Sequence, residues 1–195
     1  MCKNGEWVEV TIDDYFPCHP DGGPIFSKSH GNELWVLLLE KAYAKLHGNY
    51  YTLRGGFANE GMMDLTGCPT ECFDFTDPVC QEMMNTGEFW KKLLHFVEQN
   101  FLISASTPGE DRWTEQGKPT EDNSGGLCPG HAYSVIQVKE CQGNLLLNLR
   151  NPWGFMEWQG DWSDNSPLWT PQMRKQLNAD AKDDGNFWMS FKDFT

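Results

Sequence analysis

The residues of this chain with the clearest chemical use are His131 and Asn151. His131 lies in Gly130-His131-Ala132-Tyr133-Ser134-Val135, and Asn151 lies in Arg150-Asn151-Pro152-Trp153-Gly154. An imidazole can take a proton from a thiol and return it to a leaving group. A carboxamide oxygen can accept from one ring nitrogen and leave the other to face the sulfur, which holds the ring in one tautomer and orientation. Trp153, two residues beyond Asn151, is placed to keep water from that contact. A lone histidine on a strand is more often structural. The glycine before it and the Asn-Pro-Trp segment after it turn the reading toward catalysis.

Elements must bring the pair together. His131 opens an alternating strand, and residues 145–150 supply a second strand. Gln142-Gly143-Asn144 between them has hairpin chemistry. An antiparallel pair of this length returns the end of one strand to the start of the other, which sets Asn151 beside His131. Upstream, residues 6–12 alternate as a strand through Trp7, Val8, Val10 and Ile12. Asn32 reads as a helix N-cap and Gly48 as its stop, with Trp35, Leu38, Leu39, Ala42, Tyr43 and Leu46 at helical spacing. Residues 51–67, rich in glycine, read as a connecting loop. Asp77-Pro78 opens a short helix. Thr86 reads as the cap of another, which carries Phe89, Trp90, Leu93, Leu94 and Val97 on one face, with His95 in a structural place. A buried strand is expected over residues 101–106 and a long polar loop over 107–128. A helix is expected over 171–181 and a final strand over 187–191.

Other groups of reactive residues carry less. Cys18-His19 are adjacent, a poor start for a metal site. Cys68, Cys72 and Cys80 lack the paired spacings and the fourth ligand that zinc wants. Thiols of this kind are more often buried or reduced.

The motifs around His131 and Asn151 resemble the protease core of the calpains, which are papain-like, calcium-dependent cysteine proteases. The likeness continues through Glu157-Trp158-Gln159-Gly160-Asp161-Trp162-Ser163-Asp164. It extends upstream through Gly5-Glu6-Trp7-Val8-Glu9-Val10, Asp13-Asp14, Gly31-Asn32-Glu33-Leu34-Trp35 and Leu39-Glu40-Lys41-Ala42-Tyr43-Ala44-Lys45. Asp64-Leu65-Thr66-Gly67 matches a segment between the calpain lobes, and Asp184-Gly185-Asn186-Phe187-Trp188-Met189-Ser190-Phe191 ends the pattern. The resemblance implies an α+β, papain-like fold. Residues 1–67 would be the C-terminal part of the first lobe, and 68–195 the second, antiparallel-sheet lobe with the catalytic His131 and Asn151. A loop before His131 gates the substrate cleft in calpains. It also implies Ca²⁺. Glu33 would serve a first-lobe site. The second-lobe site would take Glu157, Asp164, the carbonyl of Lys182, Asp184 and Asn186. The last is an acid in the family pattern, so one negative charge is lost here and the site is expected to be weaker or absent. The residue matching Trp153 wedges into the calpain cleft until calcium binds.

One part of the family pattern does not match. Calpains carry their nucleophile in a Gly-Asp-Cys-Trp stretch upstream of the strand matching residues 5–10. Cys2 lies five residues before Trp7 and is not followed by tryptophan, and no other cysteine has that context. The chain is therefore expected to be one piece of a longer protease whose upstream segment supplies the thiol, and to be inactive alone. The rival expectation is a non-catalytic calpain-like module that binds calcium or a protein. A hydrolase using another nucleophile has only Ser134 to offer, on the same strand as His131 and too near it in sequence.

Bulk properties agree with an acidic globular protein. The chain has 195 residues, 39% hydrophobic, with nine Trp and twelve Phe, enough for a core. A formal net charge of −13 disfavours binding to nucleic acid through a basic patch. No apolar run has the length of a membrane span and no secretory signal is visible. Seven scattered cysteines suggest a reducing, cytoplasmic setting rather than a disulfide framework. Protein substrates are the expected partners.

Overall fold

A computed structural model describes residues 1–29, 31–110 and 125–195. The expected loop over 107–128 thus lies largely outside the described residues. The chain forms two compact units, Met1–Cys72 and Phe73–Thr195. Both are built from helices and antiparallel sheet, an α+β architecture.

In the first unit, β1 (Cys2–Lys3) pairs with β2 (Glu6–Trp7) across the Asn4-Gly5 turn. The strand expected over residues 6–12 stops at Trp7. Its partner is only two residues long, and farther on the backbone finds side chains instead: Lys45 Nζ donates to the Thr11 carbonyl at 2.6 Å. Helix α1 (Trp35–His47) begins later than expected, with Leu34 rather than Asn32 at its N-cap and no side-chain cap. Its buried positions are Leu37 and Ala44, two turns apart, while Trp35 is exposed. A 3₁₀ turn (Tyr50–Arg54) and helix α2 (Ala58–Thr66) occupy the stretch expected as loop. Glycine content concealed α2, because its anchor is tertiary. Buried Asp64 on α2 accepts from Tyr43 Oη at 3.3 Å and sits 2.8 Å from His47 Nε2, both on α1. Lys3 Nζ of β1 stands 3.7 Å from the same carboxylate. Burial, then the Asp64 charge, push the Tyr43 hydroxyl up to about 12.

The second unit stacks helices on a four-stranded sheet. Helix α3 (Pro78–Asn85) opens as expected, with Asp77 Oδ1 accepting from Val79 N at 2.7 Å and Pro78 in the first turn. Thr86 ends α3 rather than opening the next helix; its hydroxyl donates to the Glu82 carbonyl at 3.0 Å. Helix α4 (Glu88–Glu98) starts from Gly87 and buries Phe89, Trp90 and Leu93, the expected face. His95 on α4 is exposed. Strand β3 (Ser104–Ser106) is shorter than expected. Phe101 and Leu102 are exposed because the helix exit uses them: Phe101 N donates to Phe96 O at 2.9 Å.

The sheet order is β3–β4–β5–β6, all antiparallel, with β4 (Ala132–Cys141), β5 (Asn144–Arg150) and β6 (Asn186–Ser190). Gln142 and Gly143 both take positive φ, 51° and 80°, the two-residue turn whose twist suits a hairpin. Central strand β5 is buried on both faces. Leu147 and Leu149 join Phe187, Met189, Phe89 and Trp90 in one core; Leu146 joins Trp162, Met173, Leu177 and Trp188 in the other. An irregularity between Val135 and Gln137 inserts one residue into β4. Tyr133, Val135 and Val138 therefore share a core although strict alternation would send Val138 to the opposite face. Helix α5 (Pro171–Leu177) ends at left-handed Asn178, short of the expected 171–181. The final strand ends at Ser190, which caps a last helical turn, α6 (Phe191–Phe194). No helix among the described residues is long and apolar enough to cross a membrane.

Candidate active site

The hairpin delivers its two polar residues to one place. Register pairs Ser134 with Arg150, so His131 and Asn151 lie just past the same end of the sheet. His131 is 7% exposed and Asn151 fully buried. His131 Nε2 stands 2.9 Å from Asn151 Oδ1. The amide orientation follows from its other bonds. Asn151 Nδ2 donates to the carbonyls of Phe155 at 2.8 Å and Met156 at 3.0 Å, so the oxygen must face the imidazole. An oxygen there only accepts, so Nε2 carries the proton and Nδ1 the basic lone pair. The Trp153 ring lies against the imidazole with centroids 4.3 Å apart, and Tyr133 meets it edge-on at 5.0 Å.

The backbone of Asn151 is fixed as firmly as its side chain. Asn151 N donates to Gly185 O at 2.8 Å, and Oδ1 also accepts from Trp153 N at 3.1 Å. Gly185 has φ +87°, and a Cβ there would sit 2.8 Å from Asn151 O. Only glycine suits both the backbone angle and the close approach.

Gly185 also leads to the acidic residues. Glu157 Oε1 accepts from Asp184 N at 2.9 Å and Gly185 N at 2.7 Å. Asp184 Oδ1 accepts from Asn186 N and Nδ2, at 3.0 and 2.7 Å. The Lys182 carbonyl takes Asp184 N–H at 2.9 Å, and its ammonium pairs with Asp180. Glu157, Asp164 and Asp183 line one cleft of about 620 Å³ together with Phe155 and Trp158. Burial, then Glu157, push Asp164 up to about 7, against the pull of Arg174. Burial also raises Glu157, while the N–H groups of Gly185 and Asp184 oppose the rise. Oxygen donors of this kind are what a hard cation takes. The side chains do not converge: among the described residues no three His, Cys, Asp or Glu groups are placed to hold a metal. Glu33 lies in the first unit, before helix α1 rather than in its first turn, and accepts from Trp35 Nε1 at 3.2 Å.

The shift of Asp164 sets a pH dependence. The folded carboxyl keeps its proton to about pH 7, whereas the unfolded one titrates near 3.8. The folded state then binds more protons in that window, and its stability falls as pH rises through it. Urea midpoints for the second unit without divalent cations are therefore expected to fall between about pH 4 and pH 7, and Asp164→Asn to flatten the slope. An unchanged slope in the variant would refute this assignment.

The chain matches the family model described as "Calpain family cysteine protease" over residues 1–195. It is 44% identical over 197 residues to the calpain-type cysteine protease DEK1 of Zea mays. It is 41% identical over 207 residues to calpain-8 of Rattus norvegicus, and 40% identical over 198 residues to the calpain-1 catalytic subunit of the same species. These alignments cover 100%, 97% and 97% of the chain. The chain belongs to the calpain family of cysteine proteases. It spans 9% of the length of the maize relative and 26% of each rat relative.

In this calpain-family chain the sequence reading found the central pair and missed its supports. The Phe155 and Met156 carbonyls, Gly185 and Thr107 all bond to His131 or Asn151. Gly185 could have been flagged as the turn before a strand. The carbonyls carried no signal, because any residue has one. Among the cysteines, Cys18, Cys68 and Cys72 are exposed and Cys2, Cys80, Cys128 and Cys141 buried. Cys128, three residues before His131, is fully buried with its sulfur 4.0 Å from Met156 Sδ.

Proposed function

We propose that these residues form part of the protease core of a papain-like, calcium-regulated endopeptidase, with His131 as general base and acid and Asn151 as its orienting group. The observation that supports this most is the buried 2.9 Å contact between His131 Nε2 and Asn151 Oδ1. His131 Nδ1 takes the proton of a cysteine thiol, and the thiolate attacks a peptide carbonyl of a protein substrate. The imidazolium then gives its proton to the departing amine as the C–N bond breaks. His131 next takes a proton from water, which opens the thioester and frees the thiol. None of the seven cysteines here precedes a tryptophan. The nucleophile in this reading comes from a calpain-like Gly-Asp-Cys-Trp segment elsewhere in the protein. The setting proposed is the reducing cytoplasm.

Calcium, when bound, would supply positive charge that relieves the repulsion around Asp164. Glu157, Asp164, the Lys182 carbonyl, Asp184 and Asn186 would hold it in the second unit, and Glu33 would serve a site in the first. Asn186 donates to Asp184 where a carboxylate would add charge, so this second-unit site should bind weakly. Asn186→Glu is expected to tighten calcium binding about tenfold by titration calorimetry; unchanged or weaker binding would count against this ligand set.

The deciding assay is hydrolysis of unfolded protein by the intact protease, with calcium and with a chelator, before and after a thiol-alkylating reagent. Calcium-stimulated, alkylation-sensitive cleavage is expected. Its absence in folded, intact protein would overturn the enzyme reading and leave the non-catalytic, calpain-like module that binds calcium or a protein.

A further inference from the structure

His131 stands one residue outside strand β4, so the regular ladder does not fix it. Pairing runs Ser104 with Ser134, Ala105 with Tyr133 and Ser106 with Ala132. The next pair is Thr107 with His131, and there the pattern changes. Thr107 N donates to His131 O at 3.0 Å, as in a ladder. His131 N does not take the reciprocal bond to the Thr107 carbonyl; it donates to Thr107 Oγ1 at 3.0 Å. The same oxygen lies 2.5 Å from the Cys128 carbonyl and 3.3 Å from His131 O. A hydroxyl has one proton, and the shorter contact takes it. Thr107 thereby ties the N–H and C=O of His131 and the C=O of Cys128 to one residue. Tyr133 Oη accepts Cys128 N–H at 2.8 Å, so the two peptide groups that flank Cys128 are each held by a side-chain hydroxyl. Cys128 is fully buried and His131 nearly so, which leaves little access for water to replace a lost partner.

We propose that Thr107 is a positioning residue for His131: its hydroxyl completes the backbone pairing that the sheet leaves open and so sets the Cα from which the imidazole reaches Asn151. This rests on the reading of His131 as the base. A ring held from one end by Asn151 still needs its other end fixed, because displacements of about 1 Å near a reacting group cost on the order of 10²-fold in rate. Valine keeps the shape of Thr107 and leaves the buried His131 N–H without its acceptor. Serine keeps the hydroxyl.

The test uses the intact protease carrying Thr107→Val, Thr107→Ala and Thr107→Ser. Both hydroxyl-free variants are expected to lose about 10- to 100-fold in kcat with KM within about twofold, and Thr107→Ser to stay within about threefold of wild type. Thr86→Val, which removes a backbone-bonded hydroxyl at the end of α3, should leave kcat unchanged. A second readout needs no turnover. With isotope-labelled histidine, the His131 Nε2–H resonance should broaden or exchange faster in the hydroxyl-free variants and stay sharp in Thr107→Ser. If one hydroxyl-free variant fails to fold, the other carries the comparison. Normal kcat and a sharp resonance without the hydroxyl would overturn the proposal, as would Thr107→Ser failing as badly as Thr107→Val. A protease inactive even as wild type would refute the role of His131, while the resonance would still decide whether Thr107 holds its ring.

Discussion

Replacing His131 by alanine in the intact protease is expected to lower peptide hydrolysis by about 10⁴-fold, with the fold retained. The size follows from the double use of one nitrogen. In the proposed mechanism Nδ1 accepts the thiol proton before attack and returns it to the amine afterwards, and no other titratable group contacts Asn151 among the described residues. The small exposure of the ring means that alanine leaves a cavity beside Trp153 and Tyr133. Unfolding midpoints must therefore be compared alongside rates. A folded His131→Ala protein that keeps hydrolysis within tenfold of wild type would remove His131 from the mechanism.

Phe187→Ala carries the largest expected loss of stability, about 3–5 kcal/mol. Phe187 has no exposed surface and sits where β6 meets the helical core. Truncation loses the transfer energy of the ring and adds a cavity that strands β4 and β5 cannot collapse to fill. The ring also meets Tyr133 edge-on at 5.8 Å, and Tyr133 in turn meets His131, so loosening here reaches the site. For a unit of this size the melting temperature should fall by roughly 10–20 °C. Phe101→Ala, at an exposed ring, should change stability by about 0.5 kcal/mol or less. Urea or thermal unfolding checks both; equal effects would mean that the core is misassigned.

The expectations that failed share a cause. Residues 8–12 alternate as a strand should, yet form none, because pairing needs a partner and the facing strand ends. Helix α2 was hidden by its glycines; the contact that holds it, Asp64 with His47 and Tyr43, joins residues 17 and 21 apart. Thr86 has the right chemistry for a cap at either end of a helix, and only the packing of α3 and α4 chose. The long amphipathic faces fared better. Helix α4 and strands β4 and β5 carry enough apolar residues at one period to outweigh local exceptions, and the extra residue in β4 still left Tyr133, Val135 and Val138 in one core.

The sequence by itself determined the family, the hairpin and the pairing of His131 with Asn151, since each depends on motifs or on spacing across a single turn. The tertiary structure alone decided what holds that pair. Gly185 comes from 34 residues beyond Asn151, and Thr107 from 24 residues before His131. Their bonds run through backbone groups and a lone hydroxyl, which every protein has in quantity and no pattern marks. The acids divide in the same way. The calpain resemblance singled out Glu157, Asp164 and Asp184 in advance, but only the folded loops show that Glu157 is bound to backbone N–H groups and Asn186 to Asp184. Distance and direction decide what such groups do, and neither exists until the chain has closed on itself.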